Sequence, residues 1–549
     1  MTTLPNGHDS RAIGASRGSA EPAGRRSGRL SGASRVTIPM PDGPARASEF
    51  FSDRVAQRRA AHSQVRTNVD RRLRVMKFGG TSVGDASCIA RVVEIIRAAA
   101  CESNVAVVVS AMSGVTNKLV DAATLSEAGD RERVSAIFEE LRQRHEAVAS
   151  ALIHSAAERK RIVRKIRRII QEGDYLCRGT ILLRELTLRT RDAISSLGER
   201  LVAPLVAAAL RDLGMASEAT DTTELVVTTA CYGAAEPLMD LTGERCKARL
   251  RPLLQRGIVP VVTGFIGATA EGVVTTLGRN GSDYSATILG AALEADEVII
   301  WSDVDGVLTV DPRMVPNACR IPEISYREAA ELAYFGAKVL HPKTLRPVMH
   351  SGIPIWIRNT FAPDRPGTKI TSTGTSNGEG VKALSAMSDL ALITVGGPGL
   401  LGVSDVLGRT FKTTAAVQAS VLLSSQSSSQ NDVCLIVSSA LAERTVEALR
   451  REFAPDLVHE KGEHVTFNPS VAIVALVGEN MRGVSGIAGR TFAALDRENV
   501  NIIAIAQGSS SCSISFVVAR QDMKVALITT HREFQLGASN PQTVSMASD

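Results

Sequence analysis

Four short runs do the most to limit the folds open to this chain: Val105-Ala106-Val107-Val108-Val109, Ile258-Val259-Pro260-Val261-Val262, Glu297-Val298-Ile299-Ile300-Trp301 and Pro354-Ile355-Trp356-Ile357. They are rich in β-branched residues and continuously apolar. A strand with one wet face alternates in polarity, so a continuous run marks a strand covered on both faces. Helical stretches fall between the runs, among them Ala86 to Ala99, Leu201 to Leu210 and Ser285 to Leu293. Alternation of this kind from Arg74 to about Thr371 predicts an α/β/α sandwich of roughly 300 residues.

Within that region four motifs suggest one chemistry: Lys77-Phe78-Gly79-Gly80-Thr81-Ser82, Gly198-Glu199-Arg200, Gly278-Arg279-Asn280-Gly281-Ser282-Asp283 and Phe335-Gly336-Ala337-Lys338. The first joins the short strand Arg74-Val75-Met76 to a helix, and such a turn can hold phosphate oxygens through its N–H groups and its lysine. Lysine precedes the glycines, which excludes a Walker A loop. The third motif is a second glycine-bearing turn leading into a helix. Arg279 can grip a carboxylate with two hydrogen bonds, while Asp283 stands where the helix starts and reads equally well as an N-cap. Phosphoryl transfer needs such positive charge and close backbone approach.

After a Gly/Ser/Thr-rich linker (Thr371 to Gly380) the chain repeats itself. Gly402-Val403-Ser404 with Gly408-Arg409-Thr410-Phe411 returns as Gly483-Val484-Ser485 with Gly489-Arg490-Thr491-Phe492, and Gln426 returns as Gln507, all at one offset. This is a duplication. Each copy reads as a small βαββ module; in the second, the elements are Val471 to Val477, Val484 to Asn499, Asn501 to Ala506 and Ile514 to Val518. A module lacking catalytic-looking His, Cys or paired carboxylates suits a ligand or dimer interface.

Composition excludes other classes. With 549 residues, 44% apolar and a mean hydropathy of +0.06, the chain reads as soluble and core-forming, without the apolar run of roughly 20 residues that spans a bilayer. A net charge of +6, much of it in an arginine-rich, lysine-free leader, does not argue for nucleic acid. Eight cysteines without CxxC or CxxH spacing read as a reducing compartment and no structural zinc. The resulting layout is a disordered leader (1–72), a catalytic domain (73–371), a linker (372–388), two modules (389–465 and 466–536) and a disordered tail (537–549). The leader overlaps in character with organellar transit peptides, yet Asp9, Glu21 and Asp42 are unusual for one. Cytoplasm is the expected compartment and a plastid the alternative.

Across residues 74 to 535 the chain resembles the aspartate kinases of the amino acid kinase superfamily. KFGGTSV, VVSAMSGVTN, LGERLVA, LGRNGSDYSA, WSDVDGVLTVDPR and FGAKVLHPKT occur in that family's order, and the repeats resemble its paired ACT domains, which have a ferredoxin-like fold. The resemblance implies ATP-dependent phosphorylation of the β-carboxylate of L-aspartate to 4-phospho-L-aspartate, the first step towards lysine, threonine and methionine. It implies catalytic roles for Lys77 and Asp283, and aspartate binding by Thr116, Glu199 (amino group), Arg279 (α-carboxylate) and Ser282. ATP would be held by Lys77, Gly79, Gly80, Ser82, Ser110, Ser302, Asp303, Asp311, Arg313 and Lys338. Mg²⁺ would be carried on the phosphates, without a dedicated set of protein ligands. Leu308 stands where many relatives carry a nucleotide-stacking tyrosine.

Gln426 and Gln507 lie in QSSS and QGSS, segments that resemble the effector-binding stretches of the threonine-inhibited class fused to homoserine dehydrogenase. A feedback effector follows, threonine ahead of lysine, and so does a homodimer through the ACT modules. No GxGxxG-bearing nucleotide domain follows the repeats, so a dehydrogenase half is read as absent. The open alternatives are an amino acid kinase with another acceptor and a non-catalytic amino-acid sensor.

Overall fold

The computed structural model describes residues 71–337, 340–375, 380–396, 403–426, 432–454, 465–481, 483–507 and 512–537. The leader up to residue 70, Lys338 and the tail from residue 538 lie outside the described residues.

β1 (Leu73–Phe78) passes through α1 (Ala86–Glu102) to β2 (Asn104–Val109). Asp85 starts α1 by accepting the Cys88 N–H at 2.8 Å, as an N-cap aspartate does. Five helices follow: α2 (Val115–Ala128), α3 (Arg131–Leu152), α4 (Ala156–Leu183), α5 (Leu188–Ser195) and α6 (Leu197–Asp212). Next come β3 (Ser217–Thr220), α7 (Met239–Gln255), β4 (Val259–Thr263) and the hairpin β5 (Ile266–Ala268) with β6 (Val274–Thr276). α8 (Gly281–Leu293), β7 (Glu297–Ser302), β8 (Glu323–Ser325), α9 (Tyr326–Tyr334), α10 (Pro342–Met349), β9 (Ile355–Asn359) and β10 (Thr368–Thr371) complete this part. Eight of its strands form one sheet in the order β3-β4-β2-β1-β7-β9-β10-β8, and β1, β2, β3, β4, β7 and β9 run parallel.

The burial explains the continuous apolar runs. Met76, Phe78, Val107 and Val109 enter one core with α1, α2 and α6, while Val75, Ala106, Val108, Val298 and Ile300 enter a second core with α7, α8 and α10. Each residue of a run therefore meets apolar surface whichever way it points, at about 1.5–3 kcal/mol per large side chain. The same packing accounts for Leu188–Asp212, a stretch long and apolar enough to cross a membrane, whose most apolar window is 89% buried inside the protein.

The duplicated part forms one six-stranded antiparallel sheet, ordered β12-β13-β11-β14-β16-β15. Its elements are β11 (Ala383–Val395), α11 (Val403–Ala416), β12 (Leu423–Gln426), β13 (Val433–Ser438), α12 (Ser439–Phe453), β14 (Val465–Val477), α13 (Ile487–Arg497), β15 (Ala504–Ala506), β16 (Ser513–Ala519) and α14 (Met523–Glu533). Two expectations change. Each copy is βαββα, because α12 and α14 cover the sheet with Leu449 and Phe453 in one copy and Ala526 and Leu527 in the other. The strand expected from Asn501 shrinks to Ala504–Ala506.

β11 also begins inside the stretch read as linker. Ala383 to Met387 pair with Val477 to Ile473, the inner half of β14 in the second copy, while Val465 to Asn468 pair back along Val395 to Leu392 of the first. Each copy thus lends the other a strand extension, so a cut near residue 465 would divide paired backbone. β12 and β15, at opposite ends of the sheet, touch across the face that α11 to α14 leave uncovered. Phe335, just after α9, packs into that face with Leu390, Ile436, Ile473 and Val517.

A buried ion pair ties the two parts together. Ser325 and Glu328 form a capping box that starts α9. Glu328, 1% exposed, also accepts from Lys382 Nζ at 2.9 Å and from the Glu479 N–H at 2.8 Å.

Candidate active site

The chain runs from β1 to β2 on one side of the sheet and later returns to β7 on the other, which makes the carboxyl end of β1 a topological switch point. Open α/β sheets bind ligands at such points. Lys77 lies there at the end of β1, only 8% exposed. A cavity of about 600 Å³ opens beside it, lined by Lys77, Gly80, Ser110, Thr116, Glu199, Arg279, Ser282 and Asp283 among others.

Each of these side chains is placed by local chemistry. The turn after β1 is fixed by the Gly79 N–H to the Trp301 carbonyl and the Ser113 N–H to the Gly80 carbonyl, both at 3.1 Å. A Cβ on Gly80 would lie 2.9 Å from the Ala111 carbonyl oxygen, so this backbone approach needs glycine. At Gly79 a Cβ would meet only ordinary contacts, and Gly79 does not line the cavity. Gly198 lets α6 close on the same loop, since a Cβ there would stand 2.6 Å from that of Ala111. That closeness brings Glu199 Oε1 within 3.1 Å of the Ala111 N–H, which donates to it.

α8 begins at Gly281 after the left-handed residues Gly278 and Asn280. Asp283 in its first turn does not cap the helix; its Oδ1 lies 2.5 Å from Lys77 Nζ. Arg279 is exposed on the cavity rim and, among the described residues, has no ion-pair partner. Thr116 faces the cavity from the first turn of α2, and the Ser110 N–H is held by the Phe78 carbonyl at 3.1 Å.

Glu199 is the most perturbed group here. It is 3% exposed, and its Oε2 has no hydrogen-bond partner. Burial raises its pKa to about 8, against the opposing pull of the Ala111 N–H and Lys77. A cationic group entering the cavity would find that oxygen. In the unfolded chain the carboxyl ionises near 4.5, whereas in the fold it stays protonated until about pH 8. Its contribution to stability is therefore complete below pH 4.5 and is lost as pH rises towards 8. Glu199→Gln is accordingly expected to be no more stable than the parent at pH 4.5 and more stable at pH 8, by on the order of 4 kcal/mol. Thermal midpoints across that range check this, and a difference independent of pH would contradict it.

Other expected ligands lie elsewhere. Ser82 does not line the cavity: it is fully buried and shares a 2.7 Å hydrogen bond with Thr360, which pins the turn to the end of β9. Ser302, Asp303, Asp311 and Arg313 lie outside this cavity, on the loop that leaves β7. Ser302 bonds Asp303 at 3.1 Å, and Arg313 forks onto Asp311 with contacts down to 2.6 Å. Asp305 is committed to Asn359 and Arg365. Lys338 lies outside the described residues.

Sequence reasoning missed Asp192 and Phe265. Asp192 of α5 is buried and accepts the N–H groups of Gly233 and Thr276 at 2.8 and 2.9 Å and the Thr276 hydroxyl at 2.8 Å, so it fixes the strand that leads to Arg279. The acid in RDAISS reads as an ordinary helix carboxylate. Phe265 lines the cavity at φ +69°, unusual for a bulky residue and without a sequence signature.

Comparison with known proteins agrees with this architecture. Residues 72–359 match the amino acid kinase family model, and residues 393–453 and 474–534 match an ACT domain model. Bifunctional aspartokinase/homoserine dehydrogenase 2, chloroplastic, of Arabidopsis thaliana is 34% identical over 84% of this chain and 50% of its own length. Aspartokinase 1, chloroplastic, of the same plant is 33% identical over 84% of this chain and 80% of its own. The crystal structure of E. coli aspartokinase III with aspartate and ADP superposes with a TM-score of 0.70 at 30% identity, covering 84% of this chain and 99% of that one; its complex with lysine and aspartate gives the same TM-score at 31% identity. The chain spans about half the length of the bifunctional relatives it matches. It belongs to the amino acid kinase family, in the aspartokinase group that carries paired ACT domains.

Proposed function

We propose that this chain transfers the γ-phosphoryl group of ATP to the β-carboxylate of L-aspartate, giving ADP and 4-phospho-L-aspartate. The observation that carries this reading is the cavity at the end of β1, where Lys77, the orphaned Glu199 oxygen and Arg279 meet. Aspartate presents one ammonium and two carboxylates. Glu199, whose raised pKa the incoming cation lowers, ionises to receive the ammonium, Arg279 takes the α-carboxylate, and Thr116 and Ser282 close the remaining sides. The β-carboxylate is ionised at neutral pH and needs no general base. The task of the site is to offset repulsion between two anions, which falls to Lys77, held in place by Asp283. Gly80 and Ser110 present backbone beside the phosphates.

Asp303, Asp311 and Arg313 on the loop after β7, together with Lys338, take the nucleotide. Mg²⁺ is carried on the nucleotide phosphates in this reading. When bound, that ion adds positive charge at the transferring group. Trapping the acyl phosphate with hydroxylamine in the presence of ATP, Mg²⁺ and L-aspartate tests the reading: product with aspartate, and none with glutamate or acetylglutamate, is expected. Product with acetylglutamate alone would replace the substrate.

The ACT pair takes an amino-acid effector, threonine in our reading, and pairs across a homodimer. Gln426 ends β12 and Gln507 follows β15, so both stand exposed at related positions on the two edges of the sheet. A glutamine amide can both donate to and accept from an amino acid. Lysine is the second reading, favoured by the lysine complex of the E. coli relative. Gln426→Ala and Gln507→Ala are expected to raise the effector concentration for half-inhibition about tenfold, the loss of one or two hydrogen bonds. Inhibition curves that superpose on the parent's would refute the placement.

A further inference from the structure

The loop that leaves β7 packs only partly on the kinase core. Val310 and Val315 belong to one apolar cluster with Leu384 of β11, Val474 of β14, Phe516 of β16 and Leu527 of α14. Two residues beyond Val307, the loop reaches Thr309, the polar node of the same contact. Its N–H donates to the Cys319 carbonyl at 2.8 Å, and its carbonyl accepts from Leu384 at 2.7 Å. Its hydroxyl oxygen accepts the Cys319 N–H at 3.0 Å and lies 3.0 Å from His531 Nε2 on α14. His531 is 1% exposed and Thr309 7%. Burial holds the imidazole below its usual pKa, so the ring is neutral near pH 7. The Thr309 hydroxyl and His531 Nε2 share this hydrogen bond, its direction following the imidazole tautomer.

We propose that the Thr309–His531 hydrogen bond is a positioning contact for the nucleotide, by which the last helix of the second ACT module sets the loop carrying Asp303, Asp311 and Arg313. The inference rests on reading that loop as the ATP site. Thr309 stands two residues from Asp311 and four from Arg313, so releasing it frees the segment that presents both. The aspartate side is built from α2, α6 and α8 and shares no residue with this contact. Loss of the bond is therefore expected to act on ATP and to spare aspartate.

Steady-state kinetics with both substrates varied test this on the full chain. His531→Ala and Thr309→Val are each expected to raise KM for ATP about tenfold, the worth of one buried hydrogen bond, with KM for aspartate within about twofold. Thr309→Ser, which keeps the hydroxyl, is expected to stay within about twofold of the parent for both. Asp303→Ala serves as the reference for the loop. If Asp303→Ala raises KM for ATP while Thr309→Val and His531→Ala leave it unchanged, the positioning contact is overturned and the loop assignment stands. If none of the three moves it, both fall. A rise in both KM values together with a lowered melting temperature marks the contact as merely structural and also overturns the proposal. Should His531→Ala fail to fold, the Thr309→Val and Thr309→Ser pair decides alone.

Discussion

Lys77→Ala is expected to lower kcat by about 10³-fold while KM for aspartate changes by less than about threefold. Lys77 sits at the end of a central strand with 8% exposure, so its charge acts through little water. The other cationic side chains that line the cavity, Arg191 and Arg279, are both exposed. Aspartate is held in our reading by Glu199 and Arg279, which remain, so binding survives while stabilisation of the transferring phosphoryl group is lost. Removing the lysine also strands Asp283, whose Oδ1 lies 2.5 Å from it. Lys77→Ala/Asp283→Asn separates the two effects, because it removes the stranded charge without restoring the cation. Near-parental turnover in either variant would remove Lys77 from the chemistry.

Breaking the buried pair between the two parts is expected to have the largest effect on stability. Lys382 and Glu328 have side chains 7% and 1% exposed and meet at 2.9 Å. Lys382→Met keeps most of the packing volume and leaves the Glu328 carboxylate with only N–H donors, from Ser325 at 2.7 Å and Glu479 at 2.8 Å. Leaving a buried charge without its counter-ion costs about 3 kcal/mol. Lys382→Met/Glu328→Gln, which removes both charges, is expected to recover most of that. Urea titrations of the three proteins check the prediction. A single variant within about 1 kcal/mol of the parent would mean that the N–H donors satisfy Glu328 by themselves.

Much of the first part of the fold was legible because its signals are local. The runs at Val105, Ile258, Glu297 and Pro354 each became a parallel strand of the central sheet, as the absence of alternation implied. The repeat was legible as identity at one offset. The fifth element of each copy was not, since α12 and α14 carry no motif residues. In the candidate site, the glycine and charge patterns marked Lys77, Glu199, Arg279 and Asp283, which the fold does bring to one cavity. The burial of Ser82 was not legible, because its partner, Thr360, is 278 residues away and has no local signature. Asp192 was missed for the same reason, because Gly233 and Thr276 meet it only through the fold.

By itself, then, the sequence determined the α/β alternation, the duplicated module and the residue types of the cavity, because periodicity, turn chemistry and repetition act within a few tens of residues. Only the tertiary structure decided which way each side chain faces. It turned Ser82 inward, left one oxygen of Glu199 without a partner, exchanged strand extensions between the two repeats and buried Val310 and Val315 of the β7 loop in the core of the second ACT module. The physical reason is that burial and pairing depend on surfaces brought together from distant parts of the chain, and the free energy of each contact belongs to both partners at once.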